Sequence, residues 1–202
     1  MNNICKDILE VIFNSNNICY SYKDVIKFCL VCKNIDIKLF KKLYLTNLNV
    51  DNTYFITNCY KIIELNLMNT NIKDLLFLKL CINIEILYLK NITNDNLLNI
   101  KFLTNLKHLT LNNINITDLS FIIPTKIKLL TLYNINIYDT KSLQLCNYLQ
   151  KIYIKNSYLN NYYYLSKCES LTKIHIYNSP IHFHDIKYLT ENNIKVYNNI
   201  FK

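Results

Sequence analysis

The sequence predicts an α/β solenoid: about eight short parallel strands in one curved, right-handed sheet, with a small α-helical cap at the N-terminus. Three observations predict it. Asn47, Asn69, Asn91, Asn113, Asn134, Asn156, Asn178 and Asn198 recur in steps of 22, 22, 22, 21, 22, 22 and 20 residues. Each follows an apolar-x-apolar pair in constant phase, from Leu43 and Leu45 through Leu65 and Leu67 to Ile194 and Val196. Residues 1–39 break that phase and carry apolar residues at helical spacing instead. A fixed period of this length is the mark of a stacked repeat, in which each unit buries its apolar edge against its neighbours.

Within one unit, Leu65-x-Leu67 reads as a short strand with one face buried, because side chains alternate across a strand. Ile72, Leu75 and Leu78 then recur every third residue, the spacing of a tight 3₁₀ or short helical return on the opposite side. The regular asparagines stand where each strand must turn. The chain contains no Gly, and Asn is the next residue type best able to hold positive φ. We therefore read them as turn formers without a binding role. Cys59, Cys81, Cys146 and Cys168 share one column, 16 residues after the first strand position of their units, with Leu103 and Thr125 filling the same place elsewhere. That column reads as apolar packing by reduced thiols, although stacked neighbours at about 4.8 Å come within disulfide reach.

These units resemble the leucine-rich repeat, whose consensus LxxLxLxxNxL has a period of 20–29 residues. One departure is clear. The regular Asn lies two residues after the second strand Leu rather than three, and the next position holds Thr70, Ile92, Ile114, Ile135, Ser157 and Ser179. The resemblance implies a binding solenoid, residues 40–202, rather than an enzyme.

Residues 1–39 read as about three helices. Ile4, Ile8 and Ile12 fall on one helical face, and Val25, Leu30 and Val31 on a second, largely buried helix. The segment resembles an F-box. Asp7-Ile8-Leu9-Glu10-Val11-Ile12-Phe13 matches its first helix, Asp24-Val25 its DL pair, and Leu30-Val31-Cys32-Lys33 its VCk signature. The Pro and Trp of that pattern are absent. The resemblance implies a Skp-type adaptor bound through Ile4, Ile8, Ile12, Val25, Leu30 and Val31, coupling the solenoid's target to a cullin-type ubiquitin ligase. The alternative is a helical cap that shields the first repeat, with the solenoid binding or sequestering a partner alone. In layout and composition the whole chain resembles leucine-rich-repeat families of insect poxviruses.

Composition bounds the chemistry. The 202 residues are 51% hydrophobic and carry net charge +9, with 23 Lys and no Arg, Gly, Ala or Trp. The missing types have GC-rich codons, so an AT-rich genome accounts for the bias. Lysines spread through every repeat without a run of four, which favours a solvated basic surface over nucleic-acid binding. Without Gly there is no phosphate-cradling loop. Cys29-x-x-Cys32 lacks a second pair for zinc, and His182, His184 and Asp185 need a further ligand, for which His175 is the nearest candidate. No metal or cofactor is expected. The chain lacks an apolar run long enough to span a membrane and a signal-peptide core. An intracellular, cytoplasmic monomer is expected, its sequons at Asn91 and Asn115 unused.

Binding is expected on the concave sheet face, toward the C-terminal end. Tyr133, Lys151, Tyr153, Lys155, Lys173, His175, Tyr177 and Tyr197 point outward there in the predicted phase, with Lys195 in the row of Tyr153 and His175. Tyr supplies contact area with a polar tip, and Lys beside it selects an acidic protein partner.

Overall fold

The computed structural model describes residues 41–46, 61–70, 72, 74–92 and 97–199. The helical cap, the adaptor-binding residues Ile4 to Val31 and Cys59 lie outside the described residues. One eight-stranded parallel sheet dominates. Its strands are β1 (Lys42–Tyr44), β2 (Glu64–Met68), β3 (Ile86–Lys90), β4 (His108–Asn112), β5 (Leu129–Tyr133), β7 (Lys151–Lys155), β9 (Lys173–Tyr177) and β10 (Lys195–Asn199), in that spatial order. A second, two-stranded sheet joins β6 (Asn136–Ile137) to β8 (Tyr158–Leu159), an addition the sequence pattern did not predict.

The apolar ladder holds the stack together. Leu65, Leu87 and Leu109 are consecutive register partners, as are Leu67, Leu89 and Leu111; all are buried. Among the described residues five 3₁₀ returns, at Leu76–Leu80, Leu98–Phe102, Ser120–Ile122, Lys141–Leu145 and Tyr163–Lys167, close the repeats on the far side. Four are opened by an Asx turn: the Oδ1 atoms of Asp74, Asp118, Asp139 and Asn161 accept from the N–H two residues on, at 2.7–2.8 Å. The described members of the Cys column, Cys81, Cys146 and Cys168, are buried.

The asparagine reading holds at six positions. Asn69, Asn91, Asn113, Asn134, Asn156 and Asn178 have φ between 46° and 60°. Their side chains add an exposed ladder, with Asn113 Nδ2 donating to Asn91 Oδ1 at 2.6 Å and Asn178 Nδ2 to Asn156 Oδ1 at 2.8 Å. Directly inside, Ser157 Oγ accepts from Ile135 N–H at 3.0 Å and Ser179 Oγ from Ser157 N–H at 2.9 Å. Two buried serines thus do the backbone-satisfying work of the asparagine missing from that position. Asn47 lies outside the described residues.

The last unit departs from the predicted phase. Val196, not Ile194, pairs with Ile174, and Asn198 lies inside β10 opposite Ile176. The cause is α1 (Phe183–Glu191), which replaces the 3₁₀ return. The helix ends in a Schellman motif. Asn193 takes φ 63°, its N–H donates to Thr190 O, and Ile194 N–H donates to Leu189 O at 3.1 Å. Ile194 is the apolar residue that packs back onto Leu189 in such a cap, and both are buried. The Ile194-x-Val196-x-Asn198 string therefore imitates the repeat two residues early. From Ile174 to Val196 the step is again 22.

Candidate functional site

Strand alternation sends every second residue to the open sheet face, and the register sorts these residues into rows. At the C-terminal end three rows converge. Lys151, Lys173 and Lys195 form the first; Tyr153, His175 and Tyr197 the second; Tyr133, Lys155 and Tyr177 the third. The shift in β10 corrects two assignments. Lys195 leaves the row of Tyr153 and His175 and joins the lysines, and Tyr197 takes its place. The structure thus brings together all eight residues predicted for the sheet face and adds Lys195. The constant 22-residue step was the signal that locates Lys195 and Tyr197.

The second row is a continuous aromatic stack. The Tyr153 and His175 rings lie 4.6 Å apart at 19°, and the His175 and Tyr197 rings 4.5 Å apart at 9°. Lys151 Nζ lies over the Tyr153 ring, 4.7 Å from its centroid, and Lys155 Nζ sits 5.3 Å from that of Tyr133. Both faces of the His175 ring are therefore occupied, by Tyr153 and Tyr197. His175 Nε2 is shut off from solvent without a hydrogen-bond partner. Burial, then Lys151 and Lys173, hold its pKa below the usual 6.5. A neutral imidazole is what lets two phenols and a histidine pack face to face beside lysines.

The N-terminal end of the same face is neutralised from within. Glu64 is buried, accepts from Tyr44 Oη at 2.6 Å and pairs with Lys42 Nζ at 3.0 Å. Burial and the Glu64 carboxylate raise the Tyr44 and Tyr88 phenols. Glu85 pairs with Lys107 at 2.7 Å. The three C-terminal rows contain no carboxylate.

Other chemistry lies elsewhere. His182, His184 and Asp185 sit at the start of α1, and His184 faces Tyr188 at 6.5 Å, whereas His175 is held in the aromatic stack of the sheet. Among the described residues no three His, Cys, Asp or Glu side chains form a metal-binding group. Burial pushes the Cys81 thiol to about 11 and the Cys146 and Cys168 thiols to about 12, so none is a thiolate at neutral pH. No helix of the described residues is long and apolar enough to cross a membrane.

Comparison with solved structures identifies the architecture. The chain is similar to internalin C2 from Listeria monocytogenes, with TM-score 0.66 and 20% identity over 82% of this chain and 74% of that one. It is equally similar to a leucine-rich repeat protein of Leptospira interrogans, with TM-score 0.66 and 19% identity over 79% of this chain. This is the leucine-rich-repeat fold. The matched part spans 43% of the Leptospira chain. No family model matches the sequence, and no curated protein does. At such identities the likeness establishes the fold of the solenoid and leaves its partner to the chemistry of the sheet face.

Proposed function

We propose that this leucine-rich-repeat chain is a non-catalytic protein-binding module that takes an acidic segment of its partner on the C-terminal half of the open sheet face. The observation that carries this reading is the set of four lysines, Lys151, Lys155, Lys173 and Lys195, beside a tyrosine–histidine stack with no carboxylate in the same rows. Exposed cations with aromatic neighbours supply both steering and anchoring. The stack also favours protein over nucleic acid. Single-stranded nucleic acid needs open ring faces for base stacking, and the Tyr153, His175 and Tyr197 rings use their shared faces on one another.

The test is capture of acidic peptides from a random library by the immobilised full chain at about 0.15 M salt. Wild type should enrich Asp- and Glu-rich sequences. Tyr153→Ala with Tyr177→Ala should weaken binding by about 2 kcal/mol or more. Lys155→Glu with Lys173→Glu should slow association and blunt its salt dependence. Binding that survives all four changes moves the site off this face.

A second reading concerns residues 1–39. The Asp24-Val25 and Leu30-Val31-Cys32-Lys33 pattern supports an F-box that recruits a Skp-type adaptor, making the protein an intracellular substrate adaptor of a cullin-type ligase, in a host cytosol if the poxvirus resemblance holds. Deleting residues 1–33 should then abolish co-purification of Skp and cullin proteins while peptide capture persists. Loss of both together indicates a structural cap, and the solenoid then binds or sequesters its partner without recruiting a ligase.

A further inference from the structure

The C-terminal end of the open sheet face is ordered in two directions, and its chemistry repeats in one of them. Along a strand the outward side chains differ: β9 offers Lys173, His175 and Tyr177 in turn, about 6.7 Å apart. Across the strands they are alike. Lys151, Lys173 and Lys195 make one row, and Tyr153, His175 and Tyr197 the next. Stacking fixes the second row as a scale, with ring centroids 4.6 Å and 4.5 Å apart. The two rows set cations beside aromatic rings and hold no carboxylate among the described residues.

We infer that the partner segment held here is an amphipathic α-helix lying across β7, β9 and β10, with an acidic stripe on the lysine row and an apolar stripe on the tyrosine–histidine row. That helix is the acidic segment of the sheet-face reading, on which this rests, with its conformation and direction added. Spacing selects a helix. A helix laid along the rows brings a side chain to the same face once per turn, about every 5.4 Å. An extended segment does so about every 6.7 Å. Over the two ring steps the helix overshoots by about 2 Å, within the reach of flexible lysines. The extended segment overshoots by about 4 Å, nearly one whole ring spacing. The main chain selects it again. A segment seated on a side-chain face finds no backbone ladder there, and buried N–H and C=O groups without partners are costly. A helix satisfies its own.

Charge selects a partner's helix over the α1 helix of a second copy. The acids of α1 are Asp185 and Glu191, whose spacing puts them on different faces of the helix. Glu191 already pairs with Lys187 at 3.9 Å. The buried Leu189 of α1 belongs to the solenoid core. A second α1 therefore brings no acidic stripe, and its apolar side is in use.

The test is fluorescence anisotropy of the full chain with two labelled peptides of identical composition. One sets Glu at i, i+4 and i+7 with Leu on the adjoining stripe. The other sets its Glu in strand phase, at every second position. The first should bind about tenfold more tightly and gain helical circular dichroism on binding. Proline at its centre should weaken it by about tenfold or more, because proline breaks a helix. In an amide NMR titration its shifts should fall on β7, β9 and β10 together. Lys173→Gln, an exposed change in the middle of the lysine row, should narrow the gap between the two peptides with the amide spectrum of the sheet retained. Equal affinity for the two phases overturns the inference and leaves the sheet-face reading standing. So does binding without a gain of helix, or with shifts confined to one strand, or sedimentation showing a second copy that excludes the peptide. Binding of neither peptide removes the sheet-face reading and this inference with it.

Discussion

At the scale of single residues, positive φ decides where each repeat turns. Asn134 has φ 53°, and a β-branched residue there meets the left-handed penalty in full. Asn134→Val should lower stability by about 1–2 kcal/mol, while Asn134→Gly should be close to neutral; urea denaturation compares them. Ser157 is buried and accepts the Ile135 N–H, so Ser157→Ala should cost about 1–3 kcal/mol by stranding that donor. His175 supplies a pH dependence. Its folded pKa lies below 6.5, so the unfolded chain binds more protons across that window. The stability it contributes is complete above pH 6.5 and is lost as pH falls through the folded value. His175→Phe keeps a flat ring in the stack and should remove that part of the acid limb of a stability–pH profile.

At the scale of elements, the 3₁₀ returns show how unequal neighbouring apolar residues are. In Lys141–Leu145, Leu143 is fully buried and Leu145 is 54% exposed. Leu143→Ala should destabilise by about 2–5 kcal/mol and Leu145→Ala by under about 0.5, compared by thermal or urea unfolding. The strands were legible in the sequence because Leu-x-Leu alternation is a local, period-two signal with one buried face. The returns were legible because Ile72, Leu75 and Leu78 recur every third residue. The strands β6 and β8 were not, since two-residue bridges leave no periodicity. Nor was α1, whose only local signals are the buried Leu189 and the turn at Asn193. The sequence string after it repeats the strand motif in a false phase.

At the scale of the whole molecule, a stack of repeats in which each touches only its neighbours has no uniform stability. Amides of β10, half-covered at Val196 and carrying an unpaired amide oxygen at Asn198, should exchange first. Those of β4 and β5, with repeats on both sides, should exchange last. Hydrogen exchange resolved by strand checks this order. Equal protection throughout would mean the solenoid opens as one unit.

The sequence by itself determined the solenoid, its 22-residue step, the left-handed turn at six of the eight regular asparagines though not at Asn198, the apolar ladder and the outward set of tyrosines and lysines. Each follows from a rule acting within one repeat: alternation, the steric limit on φ, or the burial of Leu and Ile. Only the tertiary structure decided that Lys195 belongs with Lys151 and Lys173, that Tyr153, His175 and Tyr197 stack face to face, and that Glu64 neutralises the N-terminal end while the C-terminal rows hold no carboxylate among the described residues. Those facts depend on register between strands 22 residues apart and on which side chains meet across it. A Schellman cap at Asn193 shifts that register by two positions without disturbing the local pattern that a reader of the chain can see.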